Sequence, residues 1–323
     1  MPGTSLLSLP VETYPASAFA GFDPESGFSI GNARAMIWLS QLAYETRDRD
    51  KLTIVLGKWD ARLKDVRGAK LPLFEDFLPD ISAVVAVRGP AVLVVCPGTE
   101  PFRLRNWIRN FEFVPDPDTG VHTGFGLASQ ALWDALSSEP KPLEGSALYF
   151  AGHSLGGALA VLLARTAKNA GMPVRGVYTF GMPRVGGPKF ADRYNDALGD
   201  VTFRLAYGKD LVSRVPPTDL PGGPFKHVGR CLVCPDGRFD PGRLSRGTDS
   251  DEPAIERDVR TTFERLRHSG LLDVLSLATS LRVMSGPRSP YEGFLGAIIG
   301  ILPPPVRDHI PDRYWNALSE GTG

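Results

Sequence analysis

Tyr149-Phe150-Ala151-Gly152-His153-Ser154-Leu155-Gly156-Gly157-Ala158-Leu159-Ala160 is an apolar run that breaks into Gly-His-Ser-Leu-Gly and resumes in small residues at helical spacing, Ala158, Val161, Leu162 and Ala164. A strand, a sharp turn and a helix follow from that pattern, with the serine at the apex as in a nucleophile elbow. Glycines two before and two after Ser154 allow neighbouring backbone to close in while the serine takes a strained conformation. The helix behind it turns its positive end toward the place where a tetrahedral intermediate carries negative charge. G-x-S-x-G alone also occurs in glycine-rich loops; its position between strand and helix, with Gly157 following, is what gives it meaning.

Working outward, Ala83–Val87 and Val92–Cys96 are continuous β-rich apolar runs separated by Arg88-Gly89-Pro90, a hairpin entering the buried middle of a sheet. Further strands are expected at 176–180, 201–207, 227–233 and, briefly, 52–56. Helices are expected at 29–45, capped by Ser29, and at 124–136 and 188–198. Strands alternating with helices predict an α/β fold with a largely parallel central sheet flanked by helices and ligands at the strands' carboxyl ends. Three features fall at such ends: Gly98-Thr99, Ser154 and Asp210.

Residues 1–28, rich in proline and glycine, read as an N-terminal arm lying on the surface, and 29–323 as a single domain. Within it, 235–305 is an insertion: a polar loop to 256, amphipathic helical spacing over 257–284, and an apolar run at 291–302. That run falls short of the roughly twenty residues that span a bilayer, so it covers apolar surface, touches lipid or joins the core.

The chain has 36 basic and 36 acidic residues. A net charge of zero offers no concentrated basic face for nucleic acid. Residues 1–22 have neither the basic start nor the unbroken apolar core of a secretory signal, which predicts a cytoplasmic protein or the mature form of an exported one. Three cysteines do not make a disulfide framework. Cys231 and Cys234 form a C-x-x-C four residues after His227; a metal or redox site there lacks a second ligand pair, and the plainer reading is a strand with packed thiols.

An activated serine needs a base, and the base needs a third group to hold its tautomer. Asp210 follows the nucleophile at a strand end, whereas Asp219 sits in a proline-rich loop. Among the histidines, His153 adjoins Ser154 and leaves the elbow in another direction, His122 precedes the elbow, and His268 lies among arginines. His227 and His309 both come after Asp210, as the Ser, Asp, His order requires; the residues alone leave these two open.

The chain resembles the class 3 lipases, the fungal triacylglycerol lipase type of α/β-hydrolase. The likeness is carried by Pro97-Gly98-Thr99, Arg105-Asn106-Trp107-Ile108, Val121-His122-Thr123-Gly124-Phe125, Gly152-His153-Ser154-Leu155-Gly156-Gly157-Ala158, Thr179-Phe180-Gly181-Met182-Pro183-Arg184-Val185-Gly186, Asp210–Pro217 and Arg307–Tyr314. It implies Ser154 as nucleophile, His309 as general base, Asp210 as its orienting carboxylate, and an oxyanion hole from the N–H groups of Thr99 and Leu155, with the Thr99 hydroxyl helping. It also implies a lid over 101–111. Cys96-Pro97 departs from the family, which commonly has arginine there.

The expected activity is hydrolysis of carboxylic esters, acylglycerols first, with no metal or organic cofactor. Transient contact with a lipid interface is expected through Phe102, Trp107, Ile108 and the 291–302 segment. A phospholipase or short-chain esterase on the same fold is the nearer alternative, and a non-catalytic binding protein the more distant one.

Overall fold

Among the described residues, seven strands lie side by side in the order of the chain: β1 Arg62–Lys70, β2 Asp80–Arg88, β3 Ala91–Cys96, β4 Ala147–His153, β5 Val174–Phe180, β6 Thr202–Tyr207 and β7 Arg230–Cys234. The computed structural model describes residues 8–71, 80–99, 115–138, 143, 147–216, 225–245 and 304–319. β1, β2 and β3 are antiparallel, and from β3 to β7 every pairing is parallel. The expected hairpin turns at Gly89, whose φ of 53° a side chain would resist.

Both faces of the sheet are covered, which is why its central strands are apolar at consecutive positions. One face places Val85, Val94, Phe150 and Val177 against helices α3 Thr123–Ser137, α4 Leu155–Asn169 and α5 Pro188–Leu198. The other places Val84, Val95, Tyr149, Tyr178 and Leu205 against α1 Ile30–Leu42, α2 Arg49–Lys58 and the chain termini. Ser29 caps α1 by accepting from the Asn32 N–H, as expected.

Residues 52–56 are not a strand. They lie within α2, whose first turn is held by the Asp48 side chain accepting from the Lys51 N–H. Leu52, Val55 and Leu56 are all buried at the i, i+3, i+4 spacing of a helix, and five apolar-rich residues are too few to separate the two periods. β1 was not foreseen, because its sequence is polar and its residues are mostly half-buried at the sheet edge.

The first residues do not lie on the surface. Leu9, Tyr14, Ala18, Phe19 and Phe22 are buried, and Phe19 stacks on Trp59 with ring centroids 5.0 Å apart. Their proline carbonyls are used as acceptors: Pro15 O takes the Trp59 indole N–H at 2.9 Å and Pro24 O the Tyr149 hydroxyl at 2.5 Å. Proline prevents a regular helix here but leaves its carbonyl available.

The strand expected from His227 begins at Arg230, after a turn at Gly229 with φ of 75°. Alternation along β7 sends Cys234 into the core beneath α1 and Cys231 to the opposite face. The two thiols therefore cannot converge on one ion. Among the described residues no group of three or more His, Cys, Asp or Glu is arranged to hold a metal.

The chain returns at α6 Pro304–Arg307 and α7 Pro311–Ala317. Trp315 of α7 stacks on Trp38 of α1 with centroids 4.5 Å apart, and the Arg34 guanidinium donates to the Leu318 carbonyl. That docking fixes the loop between α6 and α7 at the carboxyl end of the sheet. The expected lid at 101–111, Asp219, His268 and residues 246–303 of the insertion, including 291–302, lie outside the described residues.

Candidate active site

Ser154 ends β4 and starts α4 with φ 58° and ψ −131°, a conformation that only a tight turn imposes on a residue with a Cβ. The flanking glycines are required by contact. A Cβ on Gly152 would sit 2.2 Å from the Gly156 backbone, and one on Gly156 2.1 Å from the Cys96 carbonyl oxygen. The turn is closed by Ser154 N–H to Phe180 O at 2.8 Å and Gly157 N–H to Ser154 O at 2.9 Å.

His309 stands in the loop between α6 and α7, and its Nε2 is 2.9 Å from Ser154 Oγ. Its Nδ1 lies 3.0 and 2.9 Å from the two carboxylate oxygens of Asp210. A carboxylate only accepts, so Nδ1 carries the proton, and Nε2 presents a lone pair to the serine hydroxyl. Asp210 is fully buried just beyond β6. Oδ1 also accepts from Val212 N–H at 2.8 Å, and Oδ2 from the Tyr314 hydroxyl at 2.5 Å. Burial alone would raise its pKa; the His309 ring, their hydrogen bond and the Tyr314 hydroxyl outweigh that and hold it below the ordinary value. The carboxylate therefore stays ionised opposite the His309 ring.

His227 is not part of this constellation. Its Nε2 donates to the Ser213 carbonyl at 2.8 Å, and burial together with Arg204 and Arg184 pushes its pKa well below 6.5. His122 caps α3 by accepting from Phe125 N–H. Of the two histidines left open by residue order, the structure brings only His309 to the serine.

The loop leaving β3 packs on the elbow. A Cβ on Gly98 would lie 3.0 Å from Ser154 Cβ and 2.7 Å from the His153 carbonyl oxygen. Thr99 Oγ1 is buried with no hydrogen-bond partner among the described residues, an unusual state for a hydroxyl. Leu155, first in α4, has an N–H with no acceptor within the helix, since residue 151 still belongs to β4. Pro97 donates nothing, but its carbonyl and that of Cys96 approach Gly156.

Three contributors were missed. Tyr314 lies within the family-like stretch Arg307–Tyr314, yet nothing local indicates that its hydroxyl reaches Asp210. Asp308 accepts from Lys209 N–H at 2.9 Å and pairs with Arg307 at 3.1 Å, tying the residue before His309 to the loop before Asp210. His153 leaves the elbow away from the nucleophile, as expected, but its Nε2 lies 2.7 Å from the His309 carbonyl oxygen.

A family model described as lipase (class 3) matches residues 94–220. The chain is 33% identical over 150 residues to a secreted mono- and diacylglycerol lipase of Fusarium solani, covering 42% of this chain and 43% of that protein. It is 26% identical over 343 residues to the triacylglycerol lipase OBL1 of Arabidopsis thaliana, covering 88% and 64%. Among solved structures, a triacylglycerol lipase whose catalytic centre is a serine protease triad aligns with TM-score 0.55 and 24% identity, over 71% of this chain and 91% of that one. That likeness bears on the fold, which is the α/β-hydrolase fold that the family resemblance implied. The chain thus spans less than two thirds of the length of these two curated relatives.

Proposed function

We propose, from the match of residues 94–220 to the class 3 lipase family model, that the chain is a serine carboxylic-ester hydrolase acting on acylglycerols, with Ser154, His309 and Asp210 as its triad. The observation that supports this most is the continuous chain Ser154 Oγ, His309 Nε2, His309 Nδ1, Asp210, with each link between 2.9 and 3.0 Å. We take 29–323 as the catalytic domain, insertion 235–305 included.

In this reading Ser154 Oγ attacks the ester carbonyl carbon while His309 Nε2 takes the hydroxyl proton. The carbonyl oxygen becomes an oxyanion, held by the N–H groups of Thr99 and Leu155 and by the Thr99 hydroxyl, which awaits an acceptor. The imidazolium is stabilised by Asp210 and returns its proton to the departing alcohol, leaving an acyl ester on Ser154. Water then repeats the sequence: His309 takes its proton, the oxyanion forms again, and the fatty acid leaves as Ser154 regains its hydrogen. Every group in this scheme is a side chain or backbone amide of the chain.

Acylglycerols are put first because the Fusarium relative acts on mono- and diacylglycerols and the Arabidopsis one on triacylglycerols. Phe102, Trp107, Ile108 and the 291–302 segment supply apolar residues for transient contact with the lipid surface. Among the described residues no helix is long and apolar enough to cross a membrane. Fractionation of the producing cells distinguishes a cytoplasmic protein from the mature form of an exported one, the Fusarium relative being secreted.

The test is hydrolysis of a short soluble ester and of an emulsified acylglycerol by the wild type, His309→Ala and His227→Ala, with labelling by a fluorophosphonate. Labelling at Ser154, loss of activity in His309→Ala and its retention in folded His227→Ala are expected. Activity in His309→Ala with none in His227→Ala overturns the triad; a wild type that neither labels nor hydrolyses any ester overturns the enzyme reading in favour of a binding protein.

A further inference from the structure

His153 is the last residue of β4 and the immediate neighbour of the nucleophile, yet its buried ring reaches two other parts of the site. Its Nε2 lies 2.7 Å from the main-chain carbonyl oxygen of His309, and its Nδ1 lies 2.9 Å from the hydroxyl of Tyr44, in the turn that extends α1. A carbonyl oxygen can only accept, so Nε2 carries the hydrogen. Nδ1 is then a lone pair, and the Tyr44 hydroxyl donates to it. The two partners select one neutral tautomer.

Neutrality matters because the His153 and His309 rings are 4.6 Å apart. A charged His153 would oppose the imidazolium that forms on His309 during each acyl transfer. Burial, followed by the neighbouring His309 ring, pushes its pKa down to about 3, so the ring stays neutral near physiological pH. The Tyr44 hydroxyl also packs on the loop bearing Thr99: a Cβ on Gly98 would lie 2.4 Å from it. One tyrosine thus touches the loop after β3, and through one imidazole the backbone of the base.

We propose that His153 is a positioning residue for the base: held by Tyr44 as the neutral Nε2–H tautomer, it grips the His309 main chain and so sets the approach of His309 Nε2 to Ser154 Oγ. The role rests on the serine-hydrolase reading above. Its logic is leverage. His309 sits in a short loop between two short helices, and its other main-chain tie is a 3.2 Å bond from its N–H to Val306 O. The Asp210 bond orients the ring plane, whereas the carbonyl bond fixes the backbone from which the ring hangs. Because His153 and Ser154 are adjacent, the elbow carries both the nucleophile and the group that holds the base. Misplacement of a reacting group by about 1 Å can cost about a hundredfold in rate.

The test compares kcat and KM on a soluble short-chain ester, with active sites counted by fluorophosphonate titration, for the wild type, His153→Leu, His153→Gln and Tyr44→Phe. Leucine fills the space without a donor, whereas glutamine offers an amide N–H at about the reach of Nε2. His153→Leu should lose about 10- to 100-fold in kcat per titrated site with KM changed less than about threefold. His153→Gln should recover most of that loss. Tyr44→Phe, which leaves the carbonyl bond but frees the tautomer, should fall by about 3- to 10-fold. A His153→Leu enzyme with unchanged kcat per site and only a lower Tm overturns the proposal, as does a His153→Gln enzyme no faster than His153→Leu. If His153→Leu does not fold, the glutamine and phenylalanine variants decide: full wild-type kcat per site in Tyr44→Phe, or a loss of about 10- to 100-fold in folded His153→Gln, overturns the role. A wild type inactive on every ester overturns the enzyme reading itself and this role with it, whereas an active wild type with unaffected variants overturns the positioning role alone.

Discussion

Tyr314 donates its hydroxyl to Asp210 Oδ2 at 2.5 Å from the helix that follows His309, so one short tail supplies both the His309 ring and a second clamp on the carboxylate that faces its Nδ1. Tyr314→Phe removes that donor, together with the acceptor that the Tyr207 N–H has at 3.3 Å. Hydrogen bonds to a charged group contribute about 1.5–3 kcal/mol, so kcat/KM should fall about 10- to 100-fold. The pH dependence follows by sign. Asp210 has a folded pKa below its ordinary value, so its contribution to stability is complete above that ordinary value and is lost as pH falls through the folded one. Without Tyr314 the folded value rises, and acid unfolding followed by fluorescence should begin at higher pH than in the wild type.

Gly181 has φ of 59°, and a Cβ there would lie 2.6 Å from Asp210 Oδ2, 2.9 Å from His309 Nδ1 and 3.0 Å from the Tyr314 hydroxyl oxygen. Gly181→Ala should therefore separate the acid from the base. Activity should drop at least a hundredfold, with a loss of about 1–3 kcal/mol in urea unfolding from the strained backbone.

Ser154 holds φ 58° with a Cβ in place. Ser154→Ala and Ser154→Gly both lack the nucleophile and should both be inactive. Glycine adopts that conformation without steric penalty, so Ser154→Gly should be the more stable of the two by about 1 kcal/mol in thermal unfolding.

Thr99 Oγ1 is buried without a partner among the described residues. Thr99→Ala removes an unsatisfied group and should leave Tm unchanged or slightly higher. It should nevertheless lower kcat by about 10²–10³, the usual effect of losing one oxyanion donor, while Thr99→Ser retains most activity. Equal rates for Thr99→Ala and the wild type would restrict this residue's part to its backbone N–H.

Asp312, in α7, has its pKa raised to about 6 by burial. A carboxyl raised in the folded state binds its proton more tightly there than in the unfolded chain, so it costs nothing at pH 3 and lowers stability progressively as pH rises from about 4 to about 6. The cost at pH 7 is at most about 3 kcal/mol. Asp312→Asn should match the wild type in chemical denaturation at pH 4 and exceed it at pH 7.

The sheet was legible because its strands are local apolar runs bounded by Gly and Pro; Ala83–Val87, Val92–Cys96 and Val177–Phe180 all emerged where a period-free apolar run predicts a doubly covered strand. Leu52–Leu56 misled because a five-residue window has no period. Residues 9–22 misled because proline reads as loop while its carbonyls and the flanking aromatics still pack.

By itself the sequence determined the elbow: Gly152, Ser154 and Gly156 are neighbours in the chain, and the need for small residues around a strained serine is a local steric rule. It also determined that Asp210 closes a strand on the same edge. Residue order left His227 and His309 open and the family resemblance pointed to His309; the proximity of His309 to Ser154, and the contacts of Tyr314, Asp308 and His153, belong to the tertiary structure. They depend on Trp315 stacking on Trp38 and on Arg34 holding the Leu318 carbonyl, contacts spanning more than 270 residues that bring the tail to the elbow. A histidine's role is set by what each of its two nitrogens faces, and no spacing along a chain records that.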